Sequence, residues 1–303
     1  MVCEKRQDEA TMKRPAFIVQ LEQDQSSGAS QLTLEALQGL DDFLAHEDNP
    51  TVDLLNELAD TLADARPSMV PLGNAIRRWL AAIDLTLTGD DLRRQARDAA
   101  QVLHRDLTHA GRDTARHAVN LVPPGAVIMT HSRSGTVMQL FQALVDRQRP
   151  FSVVCTLSGP GNEGVQVANE LAGLAVPVTL ITDAEMGLFM PHVDLNLTGC
   201  DCWLADNHFL NKTGTYLQAL AARDRGKPFW VLADGFRDSP LTRASVTLEE
   251  MDPAEVDRID NHHIRVRNVY FEPIPATLIS GRVTENGLQP TAGTVTGASQ
   301  KSR

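Results

Sequence analysis

The segment Asn211-Lys212-Thr213-Gly214-Thr215 sets an amide, an ammonium and two hydroxyls around a glycine, a group suited to gripping an anion. A second segment of this kind, Thr130-His131-Ser132-Arg133-Ser134-Gly135-Thr136, leads into an amphipathic stretch at 135–147. If that stretch is a helix, its first N–H groups and its dipole favour a phosphate. A third, Ser158-Gly159-Pro160-Gly161-Asn162-Glu163-Gly164, has the spacing GxGxxG, but a proline separates its first two glycines. That spacing alone does not make a dinucleotide fingerprint, and no GxxxxGK[ST] phosphate loop occurs in the chain. Asp201 stands between Cys200 and Cys202 with Trp203 nearby, surroundings that could raise a carboxyl pKa toward acid–base work. Asp234-Gly235-Phe236-Arg237 adds a further carboxylate and guanidinium.

Each of these residue types also has a purely structural use. Gly, Ser, Asn and Thr cap helices and make turns with no ligand present. Cys200 and Cys202 could be half a metal site, with Cys155, His208 or the His262-His263 pair completing it, yet no second CxC pair is present. Two small residues on a buried strand is the expected reading, and no metal is expected. The stripe Val137, Leu140, Phe141 and Leu144 reads as core or as an oligomer surface.

The elements that must carry these segments divide near residue 122. Before it, apolar residues recur at helical spacing over 31–45 and 52–64, and 72–84 and 91–120 read as two further helices. After Pro123-Pro124-Gly125, short apolar runs at 126–130, 151–157, 176–182, 194–199 and 228–234 alternate with amphipathic stretches at 135–147, 162–174 and 212–225. Alternation of this kind predicts crossover connections and a doubly wound parallel sheet. The expected division is a flexible start over 1–26, a helical domain over 27–121, a parallel-sheet α/β domain over 122–290 and a disordered tail over 291–303. In such a sheet ligands lie outside the C-terminal ends of the strands. The segments above fall at those ends.

Composition narrows the function. The 303 residues carry 28 Lys+Arg against 39 Asp+Glu, a net charge of −11, which argues against a nucleic-acid coat. No apolar run approaches the ~20 residues of a membrane span, and the first residues lack the hydrophobic stretch of a secretory signal. Four cysteines do not make a disulfide framework. A cytoplasmic protein with reduced thiols is expected, with no direct nucleic-acid or membrane partner.

Read together and in order, the segments resemble a known family. Ala65-Arg66-Pro67-Ser68-Met69 with Asn74 is similar to its ARP[TS]M…N segment, and Ile128-Met129-Thr130-His131-Ser132 to its ILTH[SC] strand and loop. Val178-Thr179-Leu180-Ile181-Thr182-Asp183 resembles its VTLIxD strand. Gly199-Cys200-Asp201 followed by Asn211-Lys212-Thr213-Gly214-Thr215 resembles its GAD…NKxGT pair. Tyr270-Phe271-Glu272-Pro273 through Thr284-Glu285-Asn286-Gly287 resembles its closing segment. The family comprises the alpha, beta and delta subunits of eukaryotic translation initiation factor 2B. Its enzyme branch contains ribose-1,5-bisphosphate isomerase and methylthioribose-1-phosphate isomerase.

The resemblance, from about Ser27-Gly28-Ala29-Ser30 to Gly287, implies a helical domain followed by a Rossmann-like domain. It also implies dimerisation through the latter and larger assemblies in some members. In the enzymes a cysteine and an aspartate interconvert a phosphorylated aldose and ketose. Asp201 matches the aspartate, but Ser132 stands at the cysteine position, as in the initiation-factor form of the loop. A serine hydroxyl needs an activator to act as a base, and His131 is its neighbour in sequence. At the second strand end the family's E[ST]RPxx[EQ]G pattern becomes Leu157-Ser158-Gly159-Pro160-Gly161-Asn162-Glu163-Gly164, with glycine for the arginine.

The implied ligand residues are Arg66, Arg133, Ser134, Gly135, Thr136, Asn211, Lys212 and Arg237, with Asp201 contacting the sugar. The leading reading is an initiation-factor-2B-like protein that binds a phosphorylated sugar or nucleotide in a regulatory or assembly role. It needs no cofactor, and its partners are copies of itself and translation-factor subunits. The alternative is an aldose–ketose isomerase acting on a phosphorylated pentose. A protein-binding scaffold with an empty pocket is a third.

Overall fold

The computed structural model describes residues 14–24, 28–66, 69–248 and 250–291. The expectations for the two ends of the chain fall largely outside them. Helices come first: α1 (Ala16–Gln23), α2 (Ala29–Ala45), α3 (Val52–Ala65), α4 (Val70–Ala81) and α5 (Gly89–Ala118). The leucine stripes turn inward, with Leu32, Leu37, Leu40, Leu44, Leu55, Leu58 and Leu62 fully buried around Trp79. Trp79 donates its indole N–H to the Ala96 carbonyl at 2.8 Å, so its polar edge is satisfied inside the core. The Thr51 hydroxyl accepts from the Leu54 N–H at 3.1 Å and starts α3. Asp90 and Asp91 in the first turn of α5, with Arg116 and His117 in its last, match the helix dipole. The periodicity does not reveal α1, an eight-residue helix with two buried side chains, Ile18 and Leu21.

The second half runs β1 (Ala126–Thr130), α6 (Gly135–Asp146), β2 (Phe151–Thr156), α7 (Glu163–Gly173), β3 (Val178–Ile181), α8 (Met186–Phe189) and β4 (Leu195–Thr198). It continues with β5 (Cys202–Trp203), β6 (His208–Lys212), α9 (Thr215–Asp224), β7 (Phe229–Leu232), β8 (Phe271–Pro275), β9 (Gly281–Thr284) and β10 (Gly287–Pro290). The main sheet has the order β10-β9-β7-β4-β1-β2-β3 and is parallel except for β10. The chain runs outward from β1 to β3 and then returns to place β4 on the other side of β1. The topological switch point therefore lies between β1 and β4, where a ligand crevice opens in folds of this class.

Two local features differ from the expected pattern. A three-stranded antiparallel sheet, β5-β6-β8, grows above the strand ends. It claims Asn211 and Lys212, which the amphipathic reading of 212–225 placed at a helix start; α9 begins at Thr215, after Gly214 turns the chain with φ +112°. The apolar run at 194–199 also ends early, at Thr198, so Cys200 lies in a connection and Cys202 opens β5.

The halves are clasped by α4. Asn74 donates to the carbonyls of Phe236 and Asp238, each at 2.7 Å, and Arg78 donates to Gly235 at 3.0 Å. Phe236 itself enters the helical core. Helix α7 sits directly on its strand: a Cβ at Gly164 would stand 1.7 Å from the Thr156 carbonyl oxygen. Because the obstacle is backbone, Gly164→Ala should destabilise the protein by about 3 kcal/mol, the upper range for overpacking. Urea unfolding with an unchanged m-value would measure it, and a loss below about 1 kcal/mol would show that α7 can slide off β2 at little cost.

Candidate functional site

A buried histidine joins the loops at the switch point. His131, at the end of β1, lies with Nε2 2.9 Å from the Thr213 carbonyl and Nδ1 2.6 Å from the Thr156 hydroxyl. A carbonyl can only accept, so Nε2 carries the proton. Burial holds the His131 pKa below its usual value, so the ring is neutral and Nδ1 accepts. The direction of the remaining bonds follows. Thr156 donates to His131, Ser158 donates to Thr156 across 3.1 Å, and the Ser132 N–H donates to Ser158 Oγ at 2.7 Å. This relay ties the loops after β1 and β2 to the turn before α9. Gly214 is required there, because a Cβ would stand 2.7 Å from the His131 ring and φ is positive.

The GxGxxG spacing acquires a different meaning. The N–H groups of Ser158 and Gly159 donate to the two oxygens of Asp183, each at 2.8 Å. A carboxylate of the chain thus occupies donors that a dinucleotide pyrophosphate would need. Gly164 serves helix–strand contact, and Gly161 leaves space for the Glu163 carboxylate, 3.1 Å from its would-be Cβ.

Internal carboxylates also meet the cations expected to bind ligand. Arg133 forms a fork with Glu170 at 2.9 and 3.3 Å, turning toward α7. Lys212, 4% exposed, pairs with Glu163 and lies 3.7 Å from the centre of the Tyr270 ring. Arg237 pairs with Asp234, donates to the Cys200 carbonyl, and reaches Ser30 of α2 at 2.8 Å. Glu272 accepts from the N–H groups of Gly214 and Tyr216 at 2.8 Å each and fills the N-terminus of α9. Asn211 is spent on the hydroxyls of Thr198 and Thr215 at 2.9 and 2.8 Å. Arg66 donates to the Asp24 carbonyl, and no contact among the described residues joins it to these loops.

The start of α6 differs from the start of α9. Ser134 caps it by accepting from Val137, while no described group accepts from the N–H groups of Gly135 and Thr136. The Ser132 hydroxyl likewise has no partner among the described residues. Gly199 brings the loop after β4 against this turn, its would-be Cβ 2.4 Å from Ser134 Oγ. Next to it sits Asp201, half-buried, whose carboxylate accepts no hydrogen bond among the described residues. Burial pushes Asp201 up to about 6, against the lowering influence of Arg237 and Lys212. The structure therefore brings Asp201, Lys212, Arg237 and the 132–136 turn to one place, with Arg133 facing away. Glu163, Asp183 and Glu272 are members of the cluster that motif reading left without roles. Only the placement of their partners reveals them.

Cys200 and Cys202 are both buried, and burial pushes both thiols up, Cys202 to about 11. No group of His, Cys, Asp and Glu able to hold a metal occurs among the described residues. No helix there is long and apolar enough to cross a membrane.

Five N-terminal helices followed by a mostly parallel seven-stranded sheet, with polar loops gathered at its switch point, define the α/β class of the chain. Residues 25–291 match the Initiation factor 2 subunit family, and the chain belongs to it. It is 34% identical over 237 residues to a translation initiation factor eIF-2B subunit 2-like protein of Pyrococcus abyssi, covering 78% of this chain and 81% of that one. It is also 34% identical over 242 residues to ribose 1,5-bisphosphate isomerase of Haloferax volcanii, covering 78% and 75%. The solved structure of the Pyrococcus horikoshii OT3 eIF-2B superposes with a TM-score of 0.80 at 29% identity, covering 91% of this chain and 96% of that one. Equal identity to a factor-like protein and to an isomerase leaves the distinction to the site.

Asp201 generates a test of the local electrostatics. Between pH ~4 and ~6 the folded chain keeps a proton on Asp201 that the unfolded chain has lost, so stability falls as pH rises through that window. Above it the full penalty persists. Asp201→Asn should raise stability at pH 7.5 by about 2 kcal/mol, after allowance for partial solvent screening, and the gain should vanish below pH ~4. Denaturation at both pH values checks this; an equal effect at both would mean that the carboxyl titrates normally.

Proposed function

We propose that this chain is an initiation-factor-2B-like protein that binds a phosphorylated sugar or nucleotide between the ends of β1 and β4 without converting it. The phosphate would lie on the free N–H groups of Gly135 and Thr136, with Lys212 beside it and Asp201 facing the sugar hydroxyls. The observation that carries this reading is the occupancy of His131. Both ring nitrogens are engaged, one by Thr156 and one by Thr213. Ser132 thus has no base from its neighbour, and an unactivated hydroxyl does not abstract a proton from carbon.

A second reading, an aldose–ketose isomerase, draws on one observation: a carboxyl raised to about 6 is suited to pass a proton near neutral pH. Calorimetry and NMR on the same samples separate the two. Pentose phosphates and nucleoside monophosphates should include a ligand that binds and is recovered unchanged. Lys212→Ala should weaken that ligand by about 1–3 kcal/mol, the scale of a charge-assisted hydrogen bond. Turnover that is lost in Asp201→Asn would replace the binding reading with the isomerase, and unchanged affinity in Lys212→Ala would remove Lys212 from the site.

The regulatory or assembly role implies self-association, and the sheet half offers a face for it. Leu188 of α8 and Leu217 of α9 are 69% and 59% exposed, with Tyr216 and Leu220 also open. Contact between copies through this face, and in turn with translation-factor subunits, is part of the proposal. Light scattering should report a dimer, and Leu188→Glu with Leu217→Glu should yield a folded monomer; a dimer that survives both changes would assign the contact to another face.

A further inference from the structure

Glu163 opens α7 with its carboxylate turned toward the site. Oε1 pairs with Lys212, while Oε2 is buried with no hydrogen-bond partner among the described residues. An unsatisfied buried carboxylate oxygen is costly, so it needs an explanation. The chain holds it there by two independent means. Gly161 leaves room for the carboxylate, and Gly164 presses the first turn of α7 onto Thr156. The ammonium it meets is equally confined, with the Tyr270 ring 3.7 Å away and 4% of Lys212 exposed. Glu163 and Lys212 lie near enough to Asp201 and His131 to influence the charge of both, which places the pair among the strand-end loops.

A phosphate arriving at Lys212 therefore meets an ammonium that already has its anion. It must displace the carboxylate or accept a second negative charge beside it, in surroundings where like charges repel strongly. We propose that Glu163 is a resident anion on Lys212, so that ligand binding is an exchange of anions and the chain holds down its own affinity for phosphate. This rests on the reading of the crevice as a phosphate-ligand site and specifies how that site is regulated. The affinity becomes a property that a single carboxylate sets, without any change in the donors of the 132–136 turn.

Glu163→Gln removes the charge and keeps the shape. Calorimetry with inorganic phosphate and with ribose 5-phosphate should show at least tenfold tighter binding to Glu163→Gln than to the unaltered protein. Adding Lys212→Met should return the affinity to the original level or below. Glu163→Asp, which draws the carboxylate back by one methylene and keeps the charge at the helix start, should give a smaller gain. It also provides a second reading should the glutamine variant fold poorly. If the unaltered protein binds and Glu163→Gln binds equally or more weakly, the carboxylate is a structural partner or a ligand contact; the resident-anion proposal fails and the phosphate-site reading stands. If no variant binds either probe, both are overturned.

Discussion

The arrangement of the strand-end loops depends on a neutral, buried imidazole. His131 cannot be charged in its cavity without losing solvation, and it cannot be neutral without one ring nitrogen accepting. Thr213 and Thr156 meet those two requirements from different elements, so the tautomer, the loop after β1 and the turn before α9 are set by one ring. Ser158 and Ser132 extend the constraint to the loop after β2. A relay with every donor assigned favours a single arrangement of the three loops, because a partly satisfied buried network is worse than none. The same economy explains why His131 is unavailable as a base. Its structural duty uses both nitrogens.

A second regularity follows from the acidic character of the chain. Donors at the strand ends meet carboxylates of the protein: Asp183 on the second loop, Glu272 on α9, Glu170 on Arg133, Asp234 on Arg237 and Glu163 on Lys212. Such pairs do not by themselves argue for stability, since burying both partners costs solvation. They do determine where backbone donors stay open. The first turn of α6 is that place, because its cap is a serine hydroxyl that satisfies one N–H and leaves two open.

The order of β1, β2, β3, β4 and β7 was legible because each is a short apolar run, whereas β9 (Gly281–Thr284) and β10 (Gly287–Pro290), which complete the main sheet, carry too few apolar residues to show one. The runs at 126–130 and 151–157 became β1 and β2 almost residue for residue, and 135–147 became α6. The small antiparallel sheet was not legible. Its first strand has two residues, and β6 alternates too briefly to show a period before Gly214 turns the chain. For the site, Asp201 and Lys212 were readable as residue types at strand ends. Their counter-charges were not, because Glu163 lies 49 positions from Lys212 and Glu272 lies 58 from Gly214. Sequence spacing carries no information about partners that only the sheet order brings together.

Asp201 is the costliest group of the strand-end cluster. A half-buried carboxyl pushed up to about 6 lowers the stability of the fold at neutral pH, and a neutral residue of the same shape would not. Nothing among the described residues hydrogen-bonds that carboxylate, so no structural duty offsets the cost. A group placed against stability at the strand ends is the kind of group a ligand site uses. On the proposed reading the entering group would supply what Asp201 lacks, a hydroxyl donor, and an acceptor for the open N–H groups of Gly135 and Thr136. A sugar hydroxyl and a phosphate on one small molecule would meet both demands, whether or not a bond is then broken. On the proposed reading Ser132 bears on that last question alone: it stands where the resemblance implies a cysteine, and it leaves the open N–H groups of Gly135 and Thr136 unchanged.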